Sequence, residues 1–261
     1  MIRRFRSICA AMIMVFALPA VGSAEEPLVT DRPDFTESSS TVGRGVLQLE
    51  GGVTFAELEG GGEVTTLGEV LARWGVAPKL ELRFLLPIFA WERGSGDDRS
   101  GFTDTAVGLK YELAHGRGSG VIGGMEAALI ASTTVPTGGA AFGSSSWQPV
   151  GVLTLGWELG ETLGLGVILG VARPTGDGER FTSTWASAAL GVGLTDAVSV
   201  FFELYGFNRE EARGPNTVTF QTGVVYLLSP DLQLDVRAAR RLTGQGLDLL
   251  LGAGMSWRLG G

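Results

Sequence analysis

Residues 232–242 read LQLDVRAARRL. Leu232, Leu234, Val236 and Ala238 fall on one side of an extended chain; Gln233, Asp235, Arg237 and Arg241 fall on the other. A period of two marks a strand with one apolar and one polar face. The pattern recurs in 79–93, where Leu80, Leu82, Phe84, Leu86 and Ile88 oppose Glu81 and Arg83. In 162–173 Leu163, Leu165, Val167, Leu169 and Val171 oppose Gly164, Gly166 and Gly170. Working outward, the alternation predicts strands near 44–58, 62–75, 79–93, 103–113, 121–135, 147–159, 162–173, 181–194, 198–209, 217–228, 232–242 and 247–259. Each is about 11–15 residues long, against about 5–6 for soluble strands and the 9–11 that cross a bilayer at a tilt.

Alternation by itself also suits a soluble sandwich with its apolar faces inward. The connections separate the two. If odd strands rise and even strands descend, the lower turns 76–78, 114–120, 160–161, 195–197 and 229–231 are mostly short. The upper ones at 94–102, 136–146, 174–180 and 210–216 are longer and rich in Gly, Ser and charge. Short turns at one end and long loops at the other mark an outer-membrane barrel. The tryptophans add to this: Trp91, Trp147 and Trp185 fall near upper strand ends, and Trp74, Trp157 and Trp257 near lower ends. Tyr205 joins the upper set. Two aromatic belts at membrane interfaces are expected. A closed barrel also leaves no sheet edge unpaired in lipid. The fold class is therefore all-β: a closed antiparallel transmembrane β-barrel of about 12 strands in an up-and-down meander.

The start of the chain fits export. Arg3, Arg4 and Arg6 precede the apolar run ICAAMIMVFALPAV, and Gly22 and Ala24 mark a cleavage point before Glu25. Residues 1–24 read as a signal peptide, 25–43 as a periplasmic N-terminal segment and 44–261 as the barrel. Cleavage removes Cys9 and those three arginines, which leaves 17 basic against 28 acidic side chains and a net charge of −11. Such a balance excludes nucleic acid as a partner. The expected partners are outer-membrane lipid, the barrel assembly machinery and a small-molecule solute.

The N-terminal stretch TDRPDFTESSSTVGRGVLQLEGG (30–52) resembles the opening of a bacterial outer-membrane family named for a putative MetA-pathway of phenol degradation, often labelled transporter. The matching residues are Asp31, Arg32, Pro33, Thr36, Glu37, Glu50 and Gly51. The stretches 132–170 and 228–260 are similar to the family's strand–loop–hairpin and closing hairpin. The resemblance implies a barrel that passes small organic molecules, aromatic ones among them. The chain departs from the usual terminal aromatic by ending SWRLGG, so Leu259 or Trp257 takes that place.

Arg32 is a lone cation beside Pro33, which holds its neighbour extended. Residues 25–43 are accordingly placed at the periplasmic mouth and partly in the lumen, with Arg32 paired to Glu50, Glu81 or Glu203. Candidate lumen-lining residues are Glu50, Glu81, Arg83, Asp104, Glu126, Glu203, Asp235 and Arg237. Glu69, Arg73, Lys110, Glu112, Glu158, Arg241, Asp248 and Arg258 share their face. Two readings stand for this charge: a pore lining that selects solutes, or a structural network that fills the barrel. Glycine faces at 164–170, 191–193 and 252–254 leave space, and Phe89, Phe201 and Phe207 lean inward.

No cofactor or metal is expected, and no catalytic residue. The sole histidine, His115, lies on the lower side, away from the outer rim where barrel hydrolases work. A calcium loop from Asp97 and Asp98 is outweighed by an ordinary solvated loop. The chain is read as a channel rather than an enzyme, with a non-conducting structural barrel as the alternative.

Overall fold

A computed structural model describes residues 27–94, 96–116, 124–176 and 178–260. The expected signal peptide lies outside them. The chain forms one closed antiparallel barrel of twelve strands. These are β1 (Leu47–Leu58), β2 (Glu63–Leu67 and Leu71–Ala77), β3 (Leu80–Leu85 and Phe89–Arg93), β4 (Arg99–Phe102 and Thr105–Ala114), β5 (Met125–Val135) and β6 (Gln148–Glu158). Then follow β7 (Leu163–Ala172), β8 (Ser183–Gly193), β9 (Val198–Phe207), β10 (Thr217–Ser229), β11 (Leu232–Thr243) and β12 (Leu247–Leu259). Each strand pairs with the next in sequence, and β1 closes the cylinder on β12 through a ladder from Leu47↔Leu259 to Leu58↔Leu247.

The end at which β1 begins is here the lower end. There the strands are joined across 78–79, 115–124, 159–162, 194–197 and 230–231, and at the upper end across 59–62, 94–98, 136–147, 173–182, 208–216 and 244–246. Inside and outside divide by strand parity. Leu204 is 50% exposed, whereas Glu203 beside it is 1% exposed; Trp74 is 47% exposed and Arg73 fully buried. The barrel thus wears its leucines, valines and phenylalanines outside and its charges inside, the arrangement that hydrocarbon rather than water demands.

Three neighbouring strands differ from the expected continuous runs. β2 breaks at 68–70, β3 at 86–88 and β4 at 103–104. Gly68 adopts a positive φ of 86°, and Pro87 has no N–H to give a ladder. The wall stays bonded across the breaks through Leu86 N–H to Val70 O (2.8 Å) and Thr103 N–H to Ile88 O (2.9 Å). The break in β3 changes which residues face out. Ala90 becomes the buried one, and Phe89 turns to the outer face. There it packs edge-on against Phe102 (4.9 Å) and Trp91 (4.5 Å). The expectation that Phe89 leans inward is corrected by this shift.

Candidate functional site

Residues 27–43 occupy the inside of the barrel. The segment enters at the lower end, where Leu28 N–H bonds to Pro230 O in the β10–β11 turn (2.8 Å). It climbs to Phe35, turns, and descends to Val42, whose N–H bonds to Glu81 Oε2 (2.8 Å), before β1 begins. Room for it comes from glycine. An added Cβ would lie 2.0 Å from Gly43 O at Gly75, 2.5 Å from Ser39 Oγ at Gly156 and 2.2 Å from Arg32 Nη2 at Gly254. The inward glycines therefore make space chiefly for the chain's own N-terminal segment.

Asp31 is the hub of the ascending leg. Its carboxylate lies 2.5 Å from Arg83 Nη1, 2.9 Å and 3.0 Å from Lys110 Nζ and 3.5 Å from Arg73 Nε. Its N–H donates to Glu50 (2.9 Å). Arg73 in turn donates to Glu50 (3.0 Å), to Glu81 (2.9 Å) and to the backbone of Val29 (3.1 Å) and Ser40 (3.0 Å). Arg83 donates to Glu81 (2.9 Å) and Glu37 (3.1 Å). Ion pairs taken out of water endure only when hydrogen bonds satisfy the rest of their capacity, and this network meets that condition.

Arg32 points elsewhere than expected. It pairs with Asp235 (3.1 Å) and Glu69 (3.2 Å), not with Glu50, Glu81 or Glu203. Glu50 and Glu81 are taken by Arg73, and Glu203 by amides. Phe35 N–H (2.8 Å), Thr36 N–H (2.7 Å), the Thr36 hydroxyl (2.6 Å) and Gln221 Nε2 (2.9 Å) all donate to Glu203. Arg237 donates to the carbonyl of Pro33 (3.1 Å) and to Thr54 (3.1 Å), with Glu69 3.6 Å away. The Arg32–Pro33 peptide is cis.

The opposite wall is apolar. Ile130 of β5, Val152 of β6 and Ile168 of β7 face inward and buried, with Val150, Trp185 and Phe35 packed on them. Phe35 stacks on Tyr205 (4.6 Å, 22°) and meets Phe207 edge-on (5.5 Å). Two expectations are corrected here. Trp185 and Tyr205 do not stand in an outer aromatic belt: both belong to the inward-facing residues of β8 and β9, where Phe35 offers them an aromatic partner. Trp74 and Trp147 are exposed on the outer surface; Trp157 and Trp257 share the parity of their outward neighbours Leu155 and Met255, and Trp91 lies with Phe89.

Asp104 is also corrected. It does not line the lumen but fastens the upper loop 136–147, accepting from Thr137 N–H (3.0 Å), Gly138 N–H (2.7 Å), Ser144 N–H (2.8 Å) and the Ser144 hydroxyl. Slight burial works against the charge, but these donors outweigh it and hold its carboxyl below the usual range. Arg241 pairs with Glu59 (2.9 Å) and Asp248 (3.4 Å) at the upper end, and Arg258 with Asp231 (2.7 Å) at the lower end. At the lower mouth His115 Nδ1 sits 3.4 Å from Glu112 and 3.6 Å from Glu126, which also accept from Thr41 (3.4 Å) and Ser39 (2.9 Å) of the descending leg.

Around the threaded segment three spaces remain. An upper cavity of about 320 Å³ lies between the apolar wall and Arg83; a middle one of about 280 Å³ reaches Glu126 and Phe201; a lower one of about 870 Å³ includes Glu112, His115 and Glu158. The upper and middle cavities share Asp34 and Glu37, and the middle and lower share Ser40, Glu126 and Glu158. Adjoining cavities thus share lining residues, with the turn at 34–37 between the first two. Among the described residues no cluster of His, Cys, Asp and Glu is arranged to hold a metal ion.

A family described as "Putative MetA-pathway of phenol degradation" matches residues 30–259. No curated protein matches the chain. Among solved structures, the chain is similar to an outer membrane channel from Pseudomonas putida F1. The two are 16% identical with a TM-score of 0.66, over 87% of this chain and 99% of that one. It is also similar to the NanC porin, at 11% identity and a TM-score of 0.54, over 82% of this chain and 100% of that one. At these identities the likeness is one of fold.

Proposed function

The chain belongs to the family of the putative MetA-pathway of phenol degradation, and from that premise we propose that it is an outer-membrane channel for small organic solutes. Its lower turns, the start of β1 and the end of β12 would face the periplasm. The observation that carries this reading is the string of three cavities with shared lining residues, which follow the threaded segment and lie on both sides of the divide made by residues 34–37. A barrel built solely as a scaffold has no need of adjoining spaces on both sides of such a divide. The two similar structures, an outer membrane channel and a porin, support the same reading.

The ion-pair network favours a second reading, a structural barrel stiffened by its own N-terminal segment. It fills the β1–β4 side of the lumen, where Arg73 and Lys110 have no exposure at all. An enzyme is less well supported. The hydroxyls near His115, those of Ser39 and Thr41, donate to Glu126 and Glu112 rather than to the imidazole. Planar bilayers decide between channel and scaffold. The full chain is expected to conduct weakly, and a chain lacking residues 27–43 to conduct several-fold more. Absence of ion or solute flux in both would leave the scaffold.

A further inference from the structure

We infer that the upper cavity is a binding site for an organic ammonium ion with an apolar body about the size of one ring, held by Asp34. The inference rests on the channel reading and names the solute class that its narrowest point would favour.

The cavity has two unlike sides. One is the buried aliphatic patch of Ile130, Val152 and Ile168, bordered by the rings of Phe35 and Trp185. The other carries charge, and almost all of it is spent. Arg83 is shared among Asp31, Glu81 and Glu37. Arg237 is engaged by Pro33 O, Thr54 and Glu69. Asp31 is surrounded by Arg83, Lys110 and Arg73. Two exceptions remain, the Nε–H of Arg237, which is buried without a hydrogen-bond partner, and Asp34. Asp34 is the one that carries negative charge. Among the described residues its carboxyl group meets only its own backbone N–H, and burial together with the nearby carboxylate of Glu203 pushes its pKa up, as expected of an acid that no cation neutralises. It also lines both the upper and the middle cavity, so it stands at the point of passage between them.

An acid that no cation neutralises, with other carboxylates about it, calls for a ligand that brings positive charge, because a charge-assisted hydrogen bond is about twice as strong as a neutral one. The aliphatic and aromatic side gains from covering an apolar body, and ring faces attract a cation. A volume of about 320 Å³ is at the small end of ligand pockets, which suits a single ring. An anion of the same size would face Asp34 and Glu37, and the one guanidinium with an unmatched N–H, Arg237, already has Glu69 at 3.6 Å.

The test uses three probes that share one ring: benzylammonium, benzyl alcohol and benzoate. Equilibrium binding is followed through Trp fluorescence and calorimetry on the full chain in detergent, with no flux required. Benzylammonium is expected to bind at least tenfold more tightly than the other two. Asp34→Asn should abolish that preference, and Glu37→Gln, whose carboxylate is already held by Arg83, should keep it. Val152→Trp, which fills the cavity while leaving Asp34 in place, should abolish binding of all three, and it decides the matter if Asp34→Asn does not fold. Equal affinities, a preference for benzoate, or tight benzylammonium binding retained by Val152→Trp would overturn the assignment. Binding without flux would sustain the site and remove the channel; flux without any preference for the ammonium would do the reverse.

Discussion

Lys110 Nζ lies 2.9 Å and 3.0 Å from the two carboxylate oxygens of Asp31, a residue 79 positions earlier that belongs to no strand. The lysine is fully buried, and Asp31 also faces Arg73 and Arg83. Removing one partner of a buried ion pair strands the others, at a cost of about 3–5 kcal/mol. Asp31→Ala is expected to lower the temperature at which the folded barrel converts to the unfolded form in SDS, and to make residues 27–43 accessible to protease. A conversion temperature equal to that of the unaltered chain would show that the network contributes no stability.

Gly75 answers a different question, whether the lower leg of the segment is held in place by lack of room elsewhere. A methyl there would meet Gly43 O at 2.0 Å and Val42 O at 2.6 Å, both backbone atoms that cannot swing aside. Gly75→Ala should speed hydrogen exchange at residues 42–46 by tenfold or more. Gly191→Ala provides the control, since its new methyl would touch only Gly164 O at 3.8 Å and should change nothing.

Asp104 predicts an acid response at the upper rim. Its carboxyl is held below the ordinary range because its donors bind the charged form. A group depressed in the folded state contributes its anchoring fully above the free carboxyl value of about 3.9 and loses it as pH falls through the folded value. Loop 136–147 should therefore stay protected from exchange at pH 5 and open only as the pH falls below the free carboxyl value of about 3.9 and on through the lower folded one. Asp104→Asn should open it at neutral pH. Equal protection of both proteins at pH 7 would sink the anchoring role.

Phe35 closes the top of the segment by stacking on Tyr205 at 4.6 Å. Such aromatic pairs are worth about 0.5–1.5 kcal/mol beyond the area they bury. If the string of cavities is the conducting path, Phe35→Ala should raise single-channel conductance and shift the emission of Trp185, its neighbour in the apolar patch. Unchanged conductance would place the path elsewhere.

Strand number, register sense and the division of charge from hydrocarbon are legible in the sequence, because a period of two sustained over a dozen residues arises from little besides a long strand with two unlike faces. The apolar inner wall is not. Ile130, Val152 and Ile168 are aliphatic residues among Gly, Ser and Thr on inward faces, and nothing local announces that they meet. Glu69 is read to the inward face with Arg73 by parity, although it lies in the break at 68–70 that Gly68 signals. Pro87 is a plainer signal, since a residue without an N–H in mid-strand marks a break, and it suffices to turn Phe89 outward. Arg32 is recognisable as needing an acid inside. Which acid depends on how high the segment climbs, and that follows from Phe35 seeking a patch that no local pattern announces.

Leu28 and Val42 are both tied near the lower end, to Pro230 O and to Glu81, with Phe35 at the summit between them. A loop of line with both tails hanging from one hole can be drawn out without cutting the wall around it. A steady pull on the N-terminus would free Leu28, then Asp31, then Phe35 in that order, and every ladder of the cylinder would stay intact. Force spectroscopy should accordingly record a few small rips for the segment, well separated from the much larger event in which β1 parts from β12.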